Sequence, residues 1–206
     1  KDTFTAHYTL MPNACGTLSL AFDGTAVIVE LWGASLTPVL LGMEPNSYHV
    51  LMLIQFSPYG LYQITRQSQA EFADKRLALE DIDNELFYSL HQAFVASKTV
   101  SDLVNTCEEI LYRRMEKHVV SDSLVLATKV ISDNYGQIQV KEVARQSHYS
   151  GRQLNRLFLV QIGMNVKDFI RLTRFNYVLK HIQKSPCFFA ALSQQAGYFD
   201  QAHFDK

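Results

Sequence analysis

Short apolar runs separated by turn-forming residues occupy the first quarter of the chain. The runs are rich in Val, Leu, Thr and aromatic residues, which favour strands. Asp23 and Gly24 stand between two of these runs and are typical of a hairpin, because glycine tolerates the positive φ of a tight turn. The pattern therefore predicts β-strands over residues 4–11, 17–22, 26–32, 36–41 and 48–56.

From about residue 83 the apolar residues recur with the period of an amphipathic helix. Helices are expected over 84–95 and 101–116, the second beginning at Ser101 and Asp102, after a short helix over 59–66. A linker at 117–122 follows, and beyond it the pattern is almost entirely helical. The helices predicted there lie around 124–131 with a stop at 134–136, then over 140–146, 150–161, 166–183 and 189–195, with one more from about 201.

The two patterns together predict an α+β fold class with two domains. The first domain, over 1–120, is β-rich and ends in a helical pair, and the second, over 121–206, is all-α. The net charge of −1 is unevenly divided between them. Residues 1–120 contain 8 Lys and Arg against 14 Asp and Glu, whereas residues 121–206 contain 11 against 6. A basic second half favours a polyanion as its partner.

Two helix–turn–helix patterns follow one another in the second half, over 140–158 and 191–204. In the first pattern, apolar residues predict a packed face made by Val143, Ala144, Leu154, Leu157 and Phe158. Arg152, Asn155 and Arg156 are then expected to project from the other face. Arginine can pair with the O6 and N7 atoms of guanine, and asparagine with adenine, so this chemistry suits a major groove. In the second pattern, Gln201, His203 and Lys206 are expected to project.

With these motifs, residues 138–206 resemble the DNA-binding domain of the AraC/XylS family of bacterial transcription regulators. The sequence departs from the family pattern at Val166, where proline is usual, and at Ala202, where serine is usual. The matching residues are Val143, Ala144, Ser150, Leu154, Arg156, Phe158, Gly163, Phe169, Ile170, Arg174, Ala196, Gly197, Tyr198, Asp200, Gln201, His203 and Phe204.

The resemblance implies that a long helix over 166–183 joins two reading helices along one face of double-stranded DNA. It also implies that the domain continues beyond residue 206, so we expect it to be truncated there. Arg174 is expected to be structural. The residues expected to contact DNA bases are Arg152, Asn155, Arg156, Gln201, His203 and Lys206, and the candidate phosphate contacts are Ser150, Gln153, Arg171 and Lys180.

For the first domain, the resemblance implies a domain that senses an effector or forms a dimer. The helices over 84–95 and 101–116 have more apolar surface than one small β domain needs, which predicts a homodimer. A small-molecule effector and RNA polymerase are the further candidate partners. No apolar stretch approaches the roughly 20 residues that span a bilayer, and three scattered cysteines fit reduced thiols. We therefore expect a cytoplasmic protein.

Other chemistry finds little support in the sequence. The acidic residues Glu80, Asp81, Asp83 and Glu85 are expected to serve a helix N-terminus, and no catalytic residue, metal site or cofactor is predicted. Two alternative functions stay open. The first is a DNA-repair or alkyl-transfer enzyme fused to the same DNA-binding domain, which would need an activated thiol among Cys15, Cys107 and Cys187. The second is an interaction module that no longer binds DNA.

Overall fold

The computed structural model describes residues 7–182, and these form a mixed α+β structure. The chain divides into two compact units. The first comprises the described residues up to 120 together with 160–163, and the second comprises 121–159 and 164–182. The α+β fold class is confirmed for this part of the chain. The predicted helix over 189–195 and the second helix–turn–helix pattern lie outside the described residues.

A four-stranded antiparallel sheet is the framework of the first unit, with strand order β5-β2-β3-β6. A separate two-stranded ribbon pairs β1 with β4. The strands are β1 Tyr8–Leu10, β2 Thr17–Phe22, β3 Val27–Trp32, β4 Val39–Gly42, β5 Val50–Gln55 and β6 Arg76–Ala78. The five predicted strands are confirmed. The bounds of β2 agree with the prediction, β1, β3 and β5 are shorter than predicted, and β4 begins three residues later and ends one residue later. Strand β6 was not predicted, because its three residues are too few to show an alternating pattern.

Four helices complete the first unit: α1 Gly60–Thr65, α2 Leu79–Ile82, α3 Asn84–Ala96 and α4 Val100–Glu116. One face of the sheet and the apolar faces of these helices share a single core. Leu18, Leu20 and Leu31 of the sheet are almost fully buried there, as are Leu86 and Leu90 of α3. Burial of each such side chain favours folding by about 1.5–3 kcal/mol.

Polar side chains fix the starts of α3 and α4. Asp83 accepts a hydrogen bond from the backbone N–H of Leu86 at 2.9 Å, and its carboxylate also pairs with Arg114 of α4. At α4, the Thr99 hydroxyl accepts from the N–H of Asp102 at 3.1 Å, and the Asp102 carboxylate accepts from the N–H of Thr99 at 3.0 Å. The predicted helical role of Asp83 is confirmed, whereas α4 begins one residue earlier than expected because Thr99 is its cap.

The second unit is helical throughout its described part. Its helices are α5 Asp122–Asp133, α6 Val140–Gln146, α7 Gly151–Gln161 and α8 Val166–Ile182. These four bounds agree with the prediction to within two residues. The fully buried residues Leu124, Ile131, Val143, Leu154 and Phe158 hold α5, α6 and α7 around one core. The ring of Phe158 meets that of Phe169 edge to face at 5.3 Å, which brings α8 onto the same core.

The reciprocal cap of α4 gives a first prediction. Thr99→Ala removes the acceptor for the Asp102 amide, and we expect it to lower the free energy of unfolding by about 1 kcal/mol. Ser101→Ala is the matched control, because Ser101 is exposed in the same helical turn and its hydroxyl makes no hydrogen bond within the described chain. Urea denaturation followed by circular dichroism measures both. Equal stability of the two variants would contradict the role of Thr99.

Candidate nucleic-acid interface

Helices α6 and α7 are joined by a tight turn over residues 147–150. The N–H of Tyr149 donates to the carbonyl of Ala144 at 3.0 Å, and the N–H of His148 donates to that of Arg145 at 3.4 Å. These two bonds end α6 in a Schellman motif with His148 in the left-handed region at φ 59°. The Ser147 side chain is completely buried beneath the turn and donates to the Val143 carbonyl at 2.8 Å. The turn is thus fixed by local hydrogen bonds.

The start of α7 is stabilised by Ser150 and Gln153. The N–H of Gln153 donates to the Ser150 hydroxyl at 3.2 Å, and the N–H of Ser150 donates to the Gln153 side-chain oxygen at 3.1 Å. This reciprocal pair is a capping box, and it satisfies two backbone donors that the first helical turn leaves over. Both residues are exposed at the N-terminus of α7. Their contact with phosphate stays a prediction, and the structure adds a capping role for each.

Arg152 and Arg156 form an exposed pair on one side of α7. They are four residues apart, so they lie on the same face, and Leu154 and Phe158 lie on the opposite side and are completely buried. Neither guanidinium takes part in a hydrogen bond or ion pair within the described chain. Both arginines therefore extend into solvent from the second helix of a helix–turn–helix.

Asn155 differs from its arginine neighbours because it is half-buried and already engaged. Its side-chain oxygen accepts a hydrogen bond from the backbone N–H of Val166, the first residue of α8, at 3.2 Å. Asn165 caps the same helix by accepting from the N–H of Asp168 at 2.8 Å. Base contact by Asn155 stays a prediction, and the structure gives this residue the additional task of joining α7 to α8.

Arg174 of α8 is structural, as predicted. Its guanidinium donates twice to the carbonyl of Gly136, at 3.0 and 2.7 Å, and so fixes the loop that follows α5. Gly136 is required at this place, because its φ is +70° and a Cβ atom would come within 2.5 Å of the Ile170 carbonyl oxygen. The sequence stop at 134–136 is thereby confirmed as the end of α5.

The two candidate phosphate contacts on α8 point in different directions. Arg171 and Lys180 are both exposed, but they are nine residues apart, which corresponds to a rotation of about 180° around a helix. One flat surface of DNA can therefore face only one of them. Lys167, which the sequence analysis did not select, is exposed one turn before Arg171 on the same side. The sequence signal for Lys167 was its spacing of four residues from Arg171, which places the two cations on one side of a helix.

The acidic side chains of this unit are close to basic neighbours on their own helices. Glu142 accepts from Arg145 at 2.9 Å and from Gln146 at 2.6 Å, and these bonds lower the pKa of the Glu142 carboxyl to about 2. Lys129 pairs with Asp133 at 2.7 Å. On α8, Asp168 lies 3.9 Å from Arg171. The carboxylates thus pair with cations on α5, α6 and α8, and none of these pairs involves α7.

Gln201, His203 and Lys206 lie outside the described residues, and their base contacts stay predictions.

Burial raises the pKa of Cys15 and of Cys107 to about 11, which disfavours the thiolate that alkyl transfer needs. Within residues 7–182, no three His, Cys, Asp or Glu side chains come together as a group that could hold a metal ion. No helix in that range has the length and apolar character needed to cross a bilayer.

A helix–turn–helix whose second helix exposes basic side chains is the geometry of a class of DNA-binding proteins. The chain is similar to the uncharacterized HTH-type transcriptional regulator YfiF of Bacillus subtilis (strain 168), with 26% identity over 164 residues. The aligned region covers 78% of this chain and 49% of that protein, so the chain spans about half the length of the curated relative it matches. No family model matches the chain. No solved structure matches it significantly.

The bond between Asn155 and Val166 gives a second prediction. Asn155→Ala leaves the Val166 amide without its acceptor, and we expect a loss of about 1–2 kcal/mol in the free energy of unfolding. Proline has no N–H and is favoured at the first position of a helix, so the same substitution should cost less than half as much in a Val166→Pro background. Asn155→Asp, which keeps the acceptor oxygen, is the matched control. An equal cost of Asn155→Ala in both backgrounds would contradict this role.

Proposed function

We propose that this chain is a sequence-specific DNA-binding transcription regulator of the AraC/XylS type, controlled through its first unit. The described part of the second unit supplies one helix–turn–helix, and the pattern over 191–204 is proposed to supply another. The similarity to a protein named as an HTH-type transcriptional regulator supports the same class. The proposal assigns no catalytic step to any residue.

The exposed arginine pair on α7 is the observation that carries the proposal. Arg152 and Arg156 are about 6 Å apart along the helix axis, a distance close to two base steps of duplex DNA. Arginine forms two hydrogen bonds with one guanine edge, and each such contact discriminates against a wrong base by about 1–3 kcal/mol. With no acceptor of their own within the described chain, these guanidiniums can be directed to base edges at no cost in internal bonds.

Phosphate contacts are proposed to surround this pair. The N-terminus of α7 presents Ser150 and Gln153, and the first turns of α8 present Lys167 and Arg171 on one side. Contacts of this kind place a protein on the duplex and contribute most of the affinity without reading the sequence. The uneven charge of the chain supports this division, because its basic excess lies entirely beyond residue 120.

Control is proposed to come from an effector or a second copy bound by the first unit. Its helices expose apolar side chains that the core does not use: Tyr88 and Val95 on α3, and Val100 and Tyr112 on α4. Closed two-fold dimers are the commonest way in which proteins bury such surfaces. A dimer would also bring two DNA-binding units to one operator. We propose that the regulator, once bound there, contacts RNA polymerase.

Sequence readout by α7 gives a third prediction. Arg156→Ala should weaken binding to operator sequences selected from a random duplex library by about 1–3 kcal/mol and relax the preference at one base pair. Arg113→Ala is the matched control, since Arg113 is an exposed arginine of α4 paired with Glu109. Fluorescence anisotropy measures both affinities. Unchanged affinity and base preference in Arg156→Ala would remove the assignment, and failure to enrich any sequence would contradict the proposed function itself.

The salt dependence of binding gives a fourth prediction. The logarithm of the binding constant should fall linearly with the logarithm of the salt concentration, with a slope of about −0.9 per neutralised phosphate. We expect roughly four to seven such contacts for two short recognition helices and the helix between them. Arg171→Gln and Lys180→Gln should not flatten the slope equally, because the two residues lie on opposite sides of α8. A slope near zero would mean that the basic unit does not bind phosphates.

A further inference from the structure

The first unit contains a cavity of about 330 Å³ between one end of its main sheet and the β1–β4 ribbon. Thr17 of β2 lies directly opposite Trp32 of β3 and Gln55 of β5, so these three side chains form a row on one face of the sheet. They line the cavity together with Leu10 and Val39 of the ribbon. This face is the one opposite the buried row of Leu18 and Leu31, so the cavity is separate from the core.

Two charged residues at the cavity, Arg76 and Asp74, are bonded to other groups of the protein. Arg76 pairs with Glu30 at 2.6 Å and donates to Glu44 at 2.9 Å, and its guanidinium lies 5.0 Å from the centroid of the Trp32 ring. The carboxylate of Asp74 accepts from the hydroxyl of Ser35 at 2.8 Å and from the N–H of Leu36 at 3.1 Å. Arg76 is therefore unavailable to an anionic ligand without the loss of a bond inside the protein, and Asp74, itself an anion, would not contact such a ligand.

Three polar side chains of the lining remain uncommitted. Lys75 is exposed, and its ammonium group makes no ion pair or hydrogen bond within the described chain. The hydroxyl of Thr17 and the amide of Gln55 are likewise without partners in that part of the chain. Burial raises the pKa of the Cys15 thiol at the same cavity to about 11, so the thiol adds no negative charge. Lys75 is thus the cation of the lining that has no ion pair within the described residues.

We propose that this cavity binds a small apolar carboxylate. The apolar group would lie against Leu10, Val39 and the Trp32 ring, and the carboxylate would pair with the ammonium of Lys75. Thr17 and Gln55 provide hydrogen bonds next to it. A mostly apolar cavity with a few convergent polar groups is the usual form of a small-molecule site, and this volume suits a ligand of roughly ten to fifteen non-hydrogen atoms. The inference rests on the regulator proposed above, and ligand binding is measured separately from DNA binding.

Trp32 allows a direct test, because it is the one tryptophan of the chain and lines the cavity. The full chain is titrated with benzoate, phenylacetate and 4-methylpentanoate, and in parallel with the neutral amide of each acid, while Trp32 fluorescence is followed. Isothermal calorimetry provides a second readout. We expect a saturable change with at least one acid, and binding of its amide that is about fivefold weaker, as the loss of one exposed ion pair implies.

Two variants locate the site. Lys75→Gln should weaken binding of the acid about fivefold and leave the amide unchanged. Lys98→Gln, which removes another exposed and unpaired lysine of the first unit, should change neither. Val39→Phe should weaken acid and amide alike, because the larger ring occupies the cavity. Circular dichroism checks that each variant is folded.

The proposal can fail without affecting DNA binding, which is measured separately on the same protein. If none of the three acids changes the fluorescence or the heat signal at concentrations up to about 10 mM, the cavity is not a carboxylate site. Equal binding of an acid and its amide, or no effect of Lys75→Gln, would overturn the chemical class. Binding that Val39→Phe does not alter would overturn the location.

Discussion

The hydrogen bond between Asn155 and the amide of Val166 is the interaction on which the geometry of the second unit depends. It joins the middle of α7 to the first residue of α8. The Asn155 oxygen accepts from the N–H of Val166, a donor that proline at position 166 would lack. The edge-to-face contact of Phe158 with Phe169 joins the same pair of helices. With Asn155 fixed, Arg152 and Arg156 are held on the side of α7 that faces away from the core.

The sequence predicted nearly every helix and strand among the described residues, because their apolar residues follow a regular period. Strand β6 was missed, since its three residues are too few to show an alternating pattern. The start of α4 was one residue off for a smaller reason. Thr99, Ser101 and Asp102 are all good capping residues, and only the reciprocal bonds show that Thr99 is the cap.

The candidate site was less predictable than the fold. Residue type and helical spacing were sufficient to place Arg152 and Arg156 on an exposed face. They placed Asn155 on the same face, because nothing in the local sequence shows that the distant Val166 amide donates to its side chain. Arg171 and Lys180 were both selected because they are basic, although the predicted helix over 166–183 already places them about 180° apart around its axis. Contacts between helices are what a periodic pattern leaves undetermined.

Two arginines of the second unit are engaged by acceptors close to them. Arg145 is held by Glu142 on its own helix, and Arg174 is held by the Gly136 carbonyl, so neither can turn to DNA without losing a bond. Helix α7 has no acidic residue at all, and its arginines are therefore left with solvent as their partner. A positive net charge shared over the whole unit would attract any polyanion. Two arginines on a single exposed helix face, next to a fixed turn, are the arrangement that the proposed base readout requires.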